Sequence, residues 1–367
     1  MRIATFNVES LFRRPSALNQ KSWKDGRPIL NDFQRFSEII AKEAYSASDK
    51  NALAEIIKRY KLQTRKAYQT DFFILNEVRG KLFKVPKGAE EPEIIVNGRA
   101  GWDGWLELKK DEISSEAIEN TARVIKEVNA DILSIVEAED RIALQLFNDQ
   151  VIKRHGLSYA HNMLIDGNDS RGIDVGIYAK FPIKSIRSNI DVMAGDERIF
   201  SRDCAEYEIQ ITDNTTLLML INHFKSKGYG KAADSNEKRR KQSAEVARIY
   251  DERKKTFNFL TVAGDFNDTP VSPYLASLLT QTDLKDVMQH PQYINGEDKR
   301  PGTYQSGSAS NKIDYLLLSP ALWEKVQDAG VERRGVYAPR TFKSFPEVIS
   351  AETAASDHAA LWVDLNI

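Results

Sequence analysis

Five strand-like apolar runs of this chain adjoin acidic, amide or imidazole residues. In chain order, these segments are residues 3–7, 132–137, 218–223, 260–267 and 356–358, the last directly before the final strand. A further carboxylate, Asp314, lies inside another apolar run. Polar side chains at the strand ends of an open sheet can converge on one crevice. The pattern therefore predicts a layered, β-rich protein with a polar site at one end of its sheets.

Composition and charge set the broad class of protein. The chain has 367 residues and a formal net charge of -1, from 52 Lys and Arg against 53 Asp and Glu. A chain of this length can bury a substantial core without a disulfide or a structural metal. Because the charge is balanced, a groove for nucleic acid has to be a local basic patch. The single cysteine, Cys204, permits no intrachain disulfide and fits a reducing compartment.

The sequence predicts neither a secretory leader nor a membrane span. Its N-terminus, MRIATFNVESLFRR, has no apolar stretch before a small-residue cleavage site. No apolar run of the sequence is long enough to cross a bilayer. We therefore expect a soluble, cytoplasmic protein without a membrane partner.

Helical and strand patterns alternate irregularly along the chain. Ser114 is predicted to cap a helix that ends near Asn129, and further helices are predicted at residues 141–154, 237–254 and 273–279. Strands are predicted at residues 2–8, 132–136, 158–163, 174–179, 205–211, 216–221, 257–263, 314–318 and 359–365. Hairpin and crossover connections are mixed, which favours an α+β fold with more than one sheet layer.

A stretch at about residues 15–112 is predicted to be a folded insertion within a single domain that covers residues 1–367. Apolar residues recur at helical spacing between Phe36 and Tyr60, and residues 93–108 have a hairpin pattern with a turn at Asn97-Gly98. So long a stretch is too much chain for a loop. Because it follows the strand that ends at Asn7, we expect it at the rim of the polar site, where it would shape access.

Each polar residue has an ordinary structural explanation when it is taken alone. Asn7 could cap a turn, and Glu137 could form a salt bridge at a strand end. Asp265 could belong to a turn, and His358 could be a satisfied surface histidine. The set is more informative than its members, because each member supplies a part that phosphodiester hydrolysis requires.

Six segments resemble the endonuclease/exonuclease/phosphatase superfamily, which includes pancreatic-type deoxyribonuclease, apurinic-site endonucleases and bacterial sphingomyelinases. The segments are Thr5-Phe6-Asn7, residues 131–137, Asn222-His223-Phe224-Lys225-Ser226-Lys227, Gly264-Asp265-Phe266-Asn267, Lys312-Ile313-Asp314-Tyr315 and Ser356-Asp357-His358. Any one of them is a weak signal, whereas six in family order are specific. They span the chain except for about residues 11–112. Val136 departs from the family, which often has Gln before the metal-binding Glu.

The resemblance implies a fold and a metal site. The fold would be an α/β (α+β) four-layer sandwich, with two packed, mixed but mainly antiparallel β-sheets flanked by helices. Glu137, Asn7 and Asp357 would hold Mg²⁺ or Mn²⁺, because hard cations prefer oxygen ligands. The metal would polarise a phosphoryl oxygen and offset charge on the leaving oxygen.

The resemblance also implies catalytic roles. Asp265 would orient or deprotonate the attacking water, and Asn267 would donate a hydrogen bond to a phosphate oxygen. His358, held by Asp314, would contact the scissile phosphate. His223 would be a second phosphate contact or a general acid.

Four more residues are assigned to the site. Asn222 and Lys225 adjoin His223 and are expected at the substrate phosphate, and Arg171 is a candidate phosphate clamp. Asp174, close to Arg171 in sequence, is expected to support His223.

The predicted activity is metal-dependent hydrolysis of a phosphodiester by a nuclease acting on DNA or RNA. Lys225, Lys227, Lys231 and the run 238–241 could follow a phosphate backbone. Acidic residues such as Glu245 on the same predicted helix also fit an ordinary solvated face. The alternatives are a hydrolase of lipid or small-molecule phosphoesters and a non-catalytic nucleic-acid-binding module. Three histidines and two tryptophans are expected to be structural, namely His155, His161, His290, Trp102 and Trp105.

Overall fold

The computed structural model describes residues 1–20, 23–64, 68–228, 230–296 and 298–367. It divides into two compact units. Unit 1 consists of Met1–Phe12, Ile113–Lys227 and Ala232–Ile367, and unit 2 consists of Arg13–Glu112 and Gly228–Lys231. Strands and helices are numbered below in chain order.

The first sheet of unit 1 has seven strands. In spatial order, they are β18 (Tyr293–Ile294), β20 (Val326–Glu332), β21 (Ala360–Leu365), β1 (Arg2–Asn7), β8 (Ile132–Ala138), β10 (Asp174–Ala179) and β9 (His161–Leu164). The central strand β1 pairs parallel with β8 and antiparallel with β21. The first and last strands of the chain therefore lie side by side in the middle of this sheet.

The second sheet of unit 1 has six strands. In spatial order, they are β11 (Ile183–Arg187), β14 (Cys204–Thr212), β15 (Thr215–His223), β16 (Leu260–Asp265), β19 (Asp314–Leu318) and β17 (Lys285–Asp286). Only the central pair, β15 and β16, is parallel. A small separate hairpin joins β12 (Met193–Ala194) to β13 (Glu197–Arg198).

Helices complete unit 1. They are α3 (Ser115–Val128), α4 (Arg141–Gln150), α5 (Ala232–Arg253), α6 (Ala276–Leu279) and α7 (Pro320–Trp323), with short 3-10 segments at Ile152–His155, Pro273–Leu275, Val287–Gln289, Ala309–Asn311 and Ala351–Thr353. Ser114 caps α3 by accepting a hydrogen bond from Ala117 N, as predicted. Such a cap stabilises a helix by about 1 kcal/mol.

Three buried apolar clusters separate four layers. One cluster joins the facing sides of the two sheets, through residues such as Ile3, Val136, Ile221 and Ala263. A second packs α3 and α4 on the outer face of the first sheet, and a third packs α5 on the outer face of the second sheet. Cys204 is fully buried in this third cluster. The predicted four-layer sandwich with two mainly antiparallel sheets is confirmed.

Unit 2 has its own core. Its elements are β2 (Arg13–Pro15), α1 (Trp23–Ile40), α2 (Ala47–Arg59), a 3-10 turn (Leu62–Thr64), β3 (Phe73–Arg79), β4 (Phe83–Lys84), β5 (Glu93–Ile94), a 3-10 turn (Arg99–Gly101), β6 (Asp103–Leu108) and β7 (Lys110–Glu112). Helical residues such as Phe36 and Ile57 pack with strand residues such as Phe73 and Leu106. The predicted helical pattern between Phe36 and Tyr60 is confirmed by α1 and α2.

The prediction of a hairpin at residues 93–108 is wrong. The strand β5 pairs with β4, and β6 pairs with β3. Asn97 and Gly98 instead form part of a link in which Tyr45 N donates to Asn97 O at 2.8 Å. The backbone of this link therefore contacts the segment between α1 and α2 instead of folding β5 onto β6.

The tryptophans of unit 2 have different environments. Trp102 is fully buried, and its Nε1 donates to the Tyr45 hydroxyl at 3.1 Å, so the expected packing role is confirmed. Trp105 is 48% exposed, and the expectation that it packs in the core is wrong. Alternation along β6 explains the difference, because Gly104 and Leu106 face the core and Trp105 faces outward.

In the part of the chain that the structure describes, no helix has the length and apolar character needed to cross a membrane.

Candidate active site

Asn7 is the last residue of β1 and lies at one end of the sheet. Ile3 belongs to the cluster between the two sheets, and alternation along the strand directs Thr5 and Asn7 to the same side. The amide nitrogen Nδ2 of Asn7 lies 3.3 Å from Asp265 Oδ2 and 3.4 Å from His358 Nε2. Its Oδ1 accepts a hydrogen bond from Glu9 N at 3.1 Å. The amide thus links the first strand to the second sheet and to the end of the chain.

Glu137 reaches the same place through a β-bulge. Alternation would direct it outward with Leu133 and Ile135, which pack in the helix-facing cluster. The register between β8 and β10 shifts at this point, because Asp174 pairs with Ala138 and Val175 pairs with Val136. Glu137 is therefore the extra residue of the bulge, and its φ is +68°. This strained backbone turns the carboxylate inward, where Oε1 lies 3.5 Å from His223 Nε2.

His223 and Asp265 end two neighbouring parallel strands. They face each other in the register between β15 and β16, and His223 Nε2 lies 3.6 Å from Asp265 Oδ2. Ile221 and Ala263, two residues earlier on each strand, belong to the cluster between the sheets. Both side chains therefore point to the facing side of the first sheet, and both are buried. The parallel ladder alone brings this imidazole and this carboxylate together.

Asn267 holds the Asp265 carboxylate from the following turn. Its backbone N donates to Asp265 Oδ1 at 2.8 Å, and its Nδ2 lies 3.1 Å from Asp265 Oδ2. The same Nδ2 lies 3.1 Å from Phe224 O, in the segment that follows His223. Asn267 has a φ of +54°, a conformation that Asn adopts more readily than most residues. The turn therefore fixes both oxygens of Asp265.

His358 is held by Asp314, the first residue of β19. The imidazole Nδ1 lies 3.0 Å from Asp314 Oδ1 and 2.9 Å from Oδ2. Its Nε2 faces Asp265 Oδ2 at 3.9 Å. The Ser356 hydroxyl donates to Asn7 O at 2.7 Å and accepts from His358 N at 3.0 Å. The turn before β21 is thus tied to the end of β1.

Burial and neighbouring charges shift the pKa values of the two histidines in opposite directions. Burial would lower the pKa of His358, but the Asp314 and Asp265 carboxylates raise it well above its ordinary value. Burial lowers the pKa of His223 well below its ordinary value, and the Arg202 and Arg171 guanidinium groups lower it further. The surroundings therefore favour the cationic form of His358 and the neutral form of His223.

The carboxylates of the site fit a hard divalent cation. Burial and, to a lesser extent, the neighbouring Asp314 charge together raise the pKa of Asp265 to about 8. Glu137 and Asp357 add further carboxylates beside the imidazoles of His223 and His358. Carboxylate oxygens are the ligands that Mg²⁺ prefers. Ligand atoms of Asp265, Asp314 and His358 lie within 4.8 Å of one another, so this group could hold a metal ion.

Asn222 lies apart from this group. It neighbours Cys204 in the register between β14 and β15, and its Nδ2 contacts Leu220 O at 3.4 Å. Its neighbours Leu220 and Cys204 pack in the cluster beneath α5, so alternation directs Asn222 away from His223. The structure therefore does not bring the Asn222 side chain to the other predicted site residues.

Asp174 also has a partner other than the predicted one. Its Oδ1 accepts a hydrogen bond from Gly167 N at 2.8 Å, and burial raises the pKa of Asp174 to about 7. His223 Nδ1 has no hydrogen-bond partner among the residues that the structure describes. Among the described residues, Asp174 therefore makes no hydrogen bond to His223, the residue that it was expected to support.

The two predicted phosphate-binding cations lie beside His223. Arg171 is buried, and its guanidinium contacts both oxygens of Asp169 at 3.0 and 2.7 Å. Arg202, a residue that the sequence did not single out, lies 2.9 Å from the same carboxylate. Burial, with the charges of Arg202 and Arg171, lowers the pKa of Lys225 to about 7. Asp169 therefore anchors a buried cationic group next to the imidazole.

The basic run 238–241 differs from the expected exposed track. Arg239 is fully buried and contacts Asp268 at 3.2 Å. Arg240 forms an ion pair with Glu237, and Lys241 forms one with Glu197. The Arg239 contact occurs because α5 packs this residue against the loop after β16.

Two residues near His358 carried no signal in the sequence. The ring centroid of Tyr304 lies 4.8 Å from that of His358, and Glu9 Oε2 accepts a hydrogen bond from Asp357 N at 3.1 Å. Both lie in irregular segments outside the strand pattern. Thr303, beside Tyr304, could have been noticed as a turn former, and its hydroxyl accepts from Asp314 N at 3.1 Å.

The remaining histidines have structural contacts. His155 Nε2 lies 2.8 Å from Glu119, and the His290 ring packs edge-on against Trp323. His161 pairs with Ala179 in the ladder between β9 and β10.

A two-sheet sandwich with acids, amides and imidazoles gathered at the ends of its central strands defines a phosphoester hydrolase. Residues 91–337, well over half of the chain, match the model of the Endonuclease/Exonuclease/phosphatase family. This chain belongs to that family. The match omits both Asn7 and His358, which the structure places in the same site.

Comparison with solved structures gives one match at a TM-score of 0.50 and others below it. The chain is similar to a mannosyl-6-phosphatase from Bacteroides thetaiotaomicron VPI-5482, with a TM-score of 0.50 and 17% identity over 69% of this chain and 92% of that chain. For an endonuclease/exonuclease/phosphatase family protein from Bacteroides thetaiotaomicron, the TM-score is 0.48 and the identity is 16%, over 68% of this chain and 88% of that chain. For sphingomyelinase C from Streptomyces griseocarneus, the TM-score is 0.47 and the identity is 17%, over 68% of this chain and 92% of that chain. Among curated proteins, no sequence matches this chain.

Proposed function

We propose that this hydrolase is a Mg²⁺- or Mn²⁺-dependent nuclease that cleaves a phosphodiester bond of DNA or RNA by attack of water on phosphorus. The observation that carries the proposal is the position of the Asp265 carboxylate. Its Oδ2 lies 3.3 Å from Asn7 Nδ2, 3.6 Å from His223 Nε2 and 3.9 Å from His358 Nε2. A buried acid within reach of an amide and two imidazoles is suited to activating water beside a phosphate.

In this proposal, Glu137, Asn7 and Asp357 hold the cation. When bound, the ion supplies Lewis-acid polarisation of a phosphoryl oxygen and offsets the charge on the leaving oxygen. The bulge at Glu137 supports this assignment, because a strained backbone is retained where it aims a functional side chain. Asp314 is the less suitable ligand, since both of its oxygens already contact His358 Nδ1.

Asp265 is the general base for water. Asn267 N and Nδ2 hold its two oxygens, so the carboxylate cannot rotate away. Burial raises the pKa of Asp265 to about 8, which makes its ionised form a stronger base toward water than an exposed carboxylate. Because opposite charge nearby favours the ionised form, Asp265 stays a carboxylate when the site carries a cation.

The two imidazoles take different parts. His358 is a cation whose Nδ1 is held by Asp314, so its Nε2–H is available to donate to a phosphate oxygen. His223 is neutral and therefore a poor general acid, which favours its other predicted role as a phosphate contact. Arg171 adds positive charge beside His223.

The choice of nucleic acid rests on the segment that follows His223. Lys225 is partly buried beside the site, and the Lys227 side chain is 54% exposed with its ammonium near Asp268. Cations that follow a catalytic imidazole in this way fit the phosphates flanking a scissile bond. The run 238–241 is not needed, because its members already contact acids or backbone of the protein.

The test uses the purified full chain with MgCl₂ or MnCl₂ and with EDTA as the metal-free control. Supercoiled plasmid, single-stranded RNA, choline-phospholipid vesicles and p-nitrophenyl phosphate are incubated in parallel. Metal-dependent cleavage of plasmid or RNA is expected, and the Asp265→Asn variant prepared in the same way excludes a contaminating nuclease. Cleavage of only the phospholipid or the monoester contradicts a nuclease and favours a lipid or small-molecule phosphoesterase. Inactivity on all four with retained DNA binding indicates a non-catalytic module.

A further inference from the structure

Arg239 is a fully buried arginine in the middle of α5. Its Nε lies 3.2 Å from Asp268 Oδ2, its Nη1 donates to Lys225 O at 2.8 Å, and its Nη2 donates to Asn236 Oδ1. One guanidinium thus contacts the loop after β15 and the loop after β16. A planar fork with several donors is suited to such a bridge, and a lysine is not.

The loop after β15 is held on two sides. On the helix side, Lys225 N donates to Gln242 Oε1 at 2.8 Å, one helical turn from Arg239. On the site side, Phe224 O accepts from Asn267 Nδ2 at 3.1 Å. The ladder between β15 and β16 ends with the pair His223 and Asp265. Beyond that pair, these side-chain contacts keep the two loops in register.

The Asp268 carboxylate, which contacts the Arg239 guanidinium, is itself held in place by hydrogen bonds. Its Oδ2 also accepts from the Ser272 hydroxyl at 2.8 Å, and its Oδ1 accepts from Thr269 N at 2.9 Å. Its backbone oxygen accepts from the Tyr315 hydroxyl at 2.8 Å. Asp268 directly follows Asn267, so a shift of the carboxylate would move the amide that holds Asp265.

We infer that Arg239 is a positioning residue for hydrolysis, which fixes Asn267 and Lys225 relative to His223 and Asp265 by joining Asp268 to the Lys225 carbonyl. This inference rests on the proposed function. Arg239 does not touch the substrate, because it is buried beneath both loops. Its effect on the reaction therefore passes through Asn267 and Lys225.

The first experiment compares Arg239→Met with Arg240→Met. Arg240 is the matched control, since it lies on the same helix, is exposed and pairs with Glu237. With the oligonucleotide that the wild-type chain cleaves, we expect Arg239→Met to lower kcat by about 10- to 100-fold, the scale seen when orienting partners are removed. Arg240→Met should retain wild-type kcat and KM. Equal rates for Arg239→Met and an active wild type would overturn the inference.

A double-mutant cycle separates positioning from general structural damage. Arg239→Met is measured in the wild-type background and in an Asn267→Ala background. If Arg239 acts through Asn267, its effect on kcat shrinks to less than about threefold when Asn267 is already removed. The same fold loss in both backgrounds would overturn the inference. Arg239→Lys, which keeps the charge but not the fork, should recover only part of kcat.

Asp268→Asn provides a second route if Arg239→Met does not fold. It keeps the shape of the partner and removes its charge, and the same cycle with Asn267→Ala applies. Thermal melting of each variant verifies that it is folded during the assay. A wild-type chain that cleaves neither DNA nor RNA would refute the proposed function, whereas a wild type active on nucleic acid with an unaffected Asp268→Asn variant would refute only the positioning role.

Discussion

The Nδ1 atom of His358 lies within 3.0 Å of both carboxylate oxygens of Asp314. This contact joins the turn before the last strand of one sheet to the start of β19 in the other. It fixes the plane of the imidazole and leaves Nε2 facing Asp265. The pair therefore couples the packing of the two sheets to the orientation of the cationic group that contacts substrate in the proposed reaction.

His358→Ala should lower kcat by at least about a hundredfold, because a charged donor to the phosphate is lost. Asp314→Asn should have a smaller effect, about 10- to 100-fold, because the imidazole remains but is held less firmly. Steady-state kinetics on one oligonucleotide measures both. His290→Ala is the control, since that imidazole packs on Trp323. Near-wild-type turnover of His358→Ala would show that its assigned role is wrong.

Asp265→Asn should also lower kcat by at least about a hundredfold, because an amide cannot accept the proton of the attacking water. The contacts with Asn267 can be largely kept, since the side chains are nearly isosteric. KM should therefore change much less than kcat. A variant with unchanged turnover would transfer the general-base role to another residue.

Glu137→Gln should raise the Mg²⁺ concentration required for half-maximal rate, because a ligand charge is lost. Asp314→Asn is the comparison that distinguishes the two candidate ligand groups. We expect a larger change in Mg²⁺ requirement for Glu137→Gln than for Asp314→Asn. The reverse order would favour a metal held by Asp265, Asp314 and His358.

Asp169→Asn should destabilise the fold by roughly 3–5 kcal/mol, the usual cost of removing one partner from a buried ion pair. Arg171 and Arg202 would then lose the charged carboxylate that both of them contact. The free energy of unfolding comes from urea titration, and exposed Asp251→Asn is the control. A loss below about 1 kcal/mol, the value typical of surface pairs, would contradict the prediction.

The low pKa of Asp169 predicts that the stability of the protein depends on pH. Although burial raises it, the pKa of Asp169 is held far below its ordinary value by Arg171 and Arg202. A carboxyl group with a depressed folded-state pKa stabilises the protein above its unfolded pKa. That stabilisation is lost as pH falls below about 5, so wild type and Asp169→Asn should converge in stability in acid. Parallel urea titrations over that pH range measure the difference.

Deletion of residues 20–110 should change substrate choice more than the rate on a generic aryl phosphodiester. The deleted stretch forms most of a separate core, and Ser16 N donates to Lys109 O at 2.8 Å, so the remaining ends are adjacent. A short Gly-Ser link can therefore replace it. The ratio of kcat/KM for oligonucleotide to that for bis(p-nitrophenyl) phosphate is the measurement. An equal loss on both substrates would indicate a structural role.

The sequence alone determined the elements that carry the site. Continuous apolar runs located β10 and β19 at their observed bounds, and Ser114 located the start of α3. The local order of polar residues at strand ends also identified Asn7, Glu137, Asp265 and His358. These features are local, because side-chain periodicity and capping depend on neighbouring residues.

Tertiary structure alone decided which of these side chains face one another. Alternation directs Asn222 away from its neighbour His223, and a bulge turns Glu137 inward against the alternation of β8. Arg239 became an internal bridge because α5 packs on two loops far away in sequence. Strand pairing and the side of a helix that is buried depend on partners distant along the chain, and no local pattern encodes them.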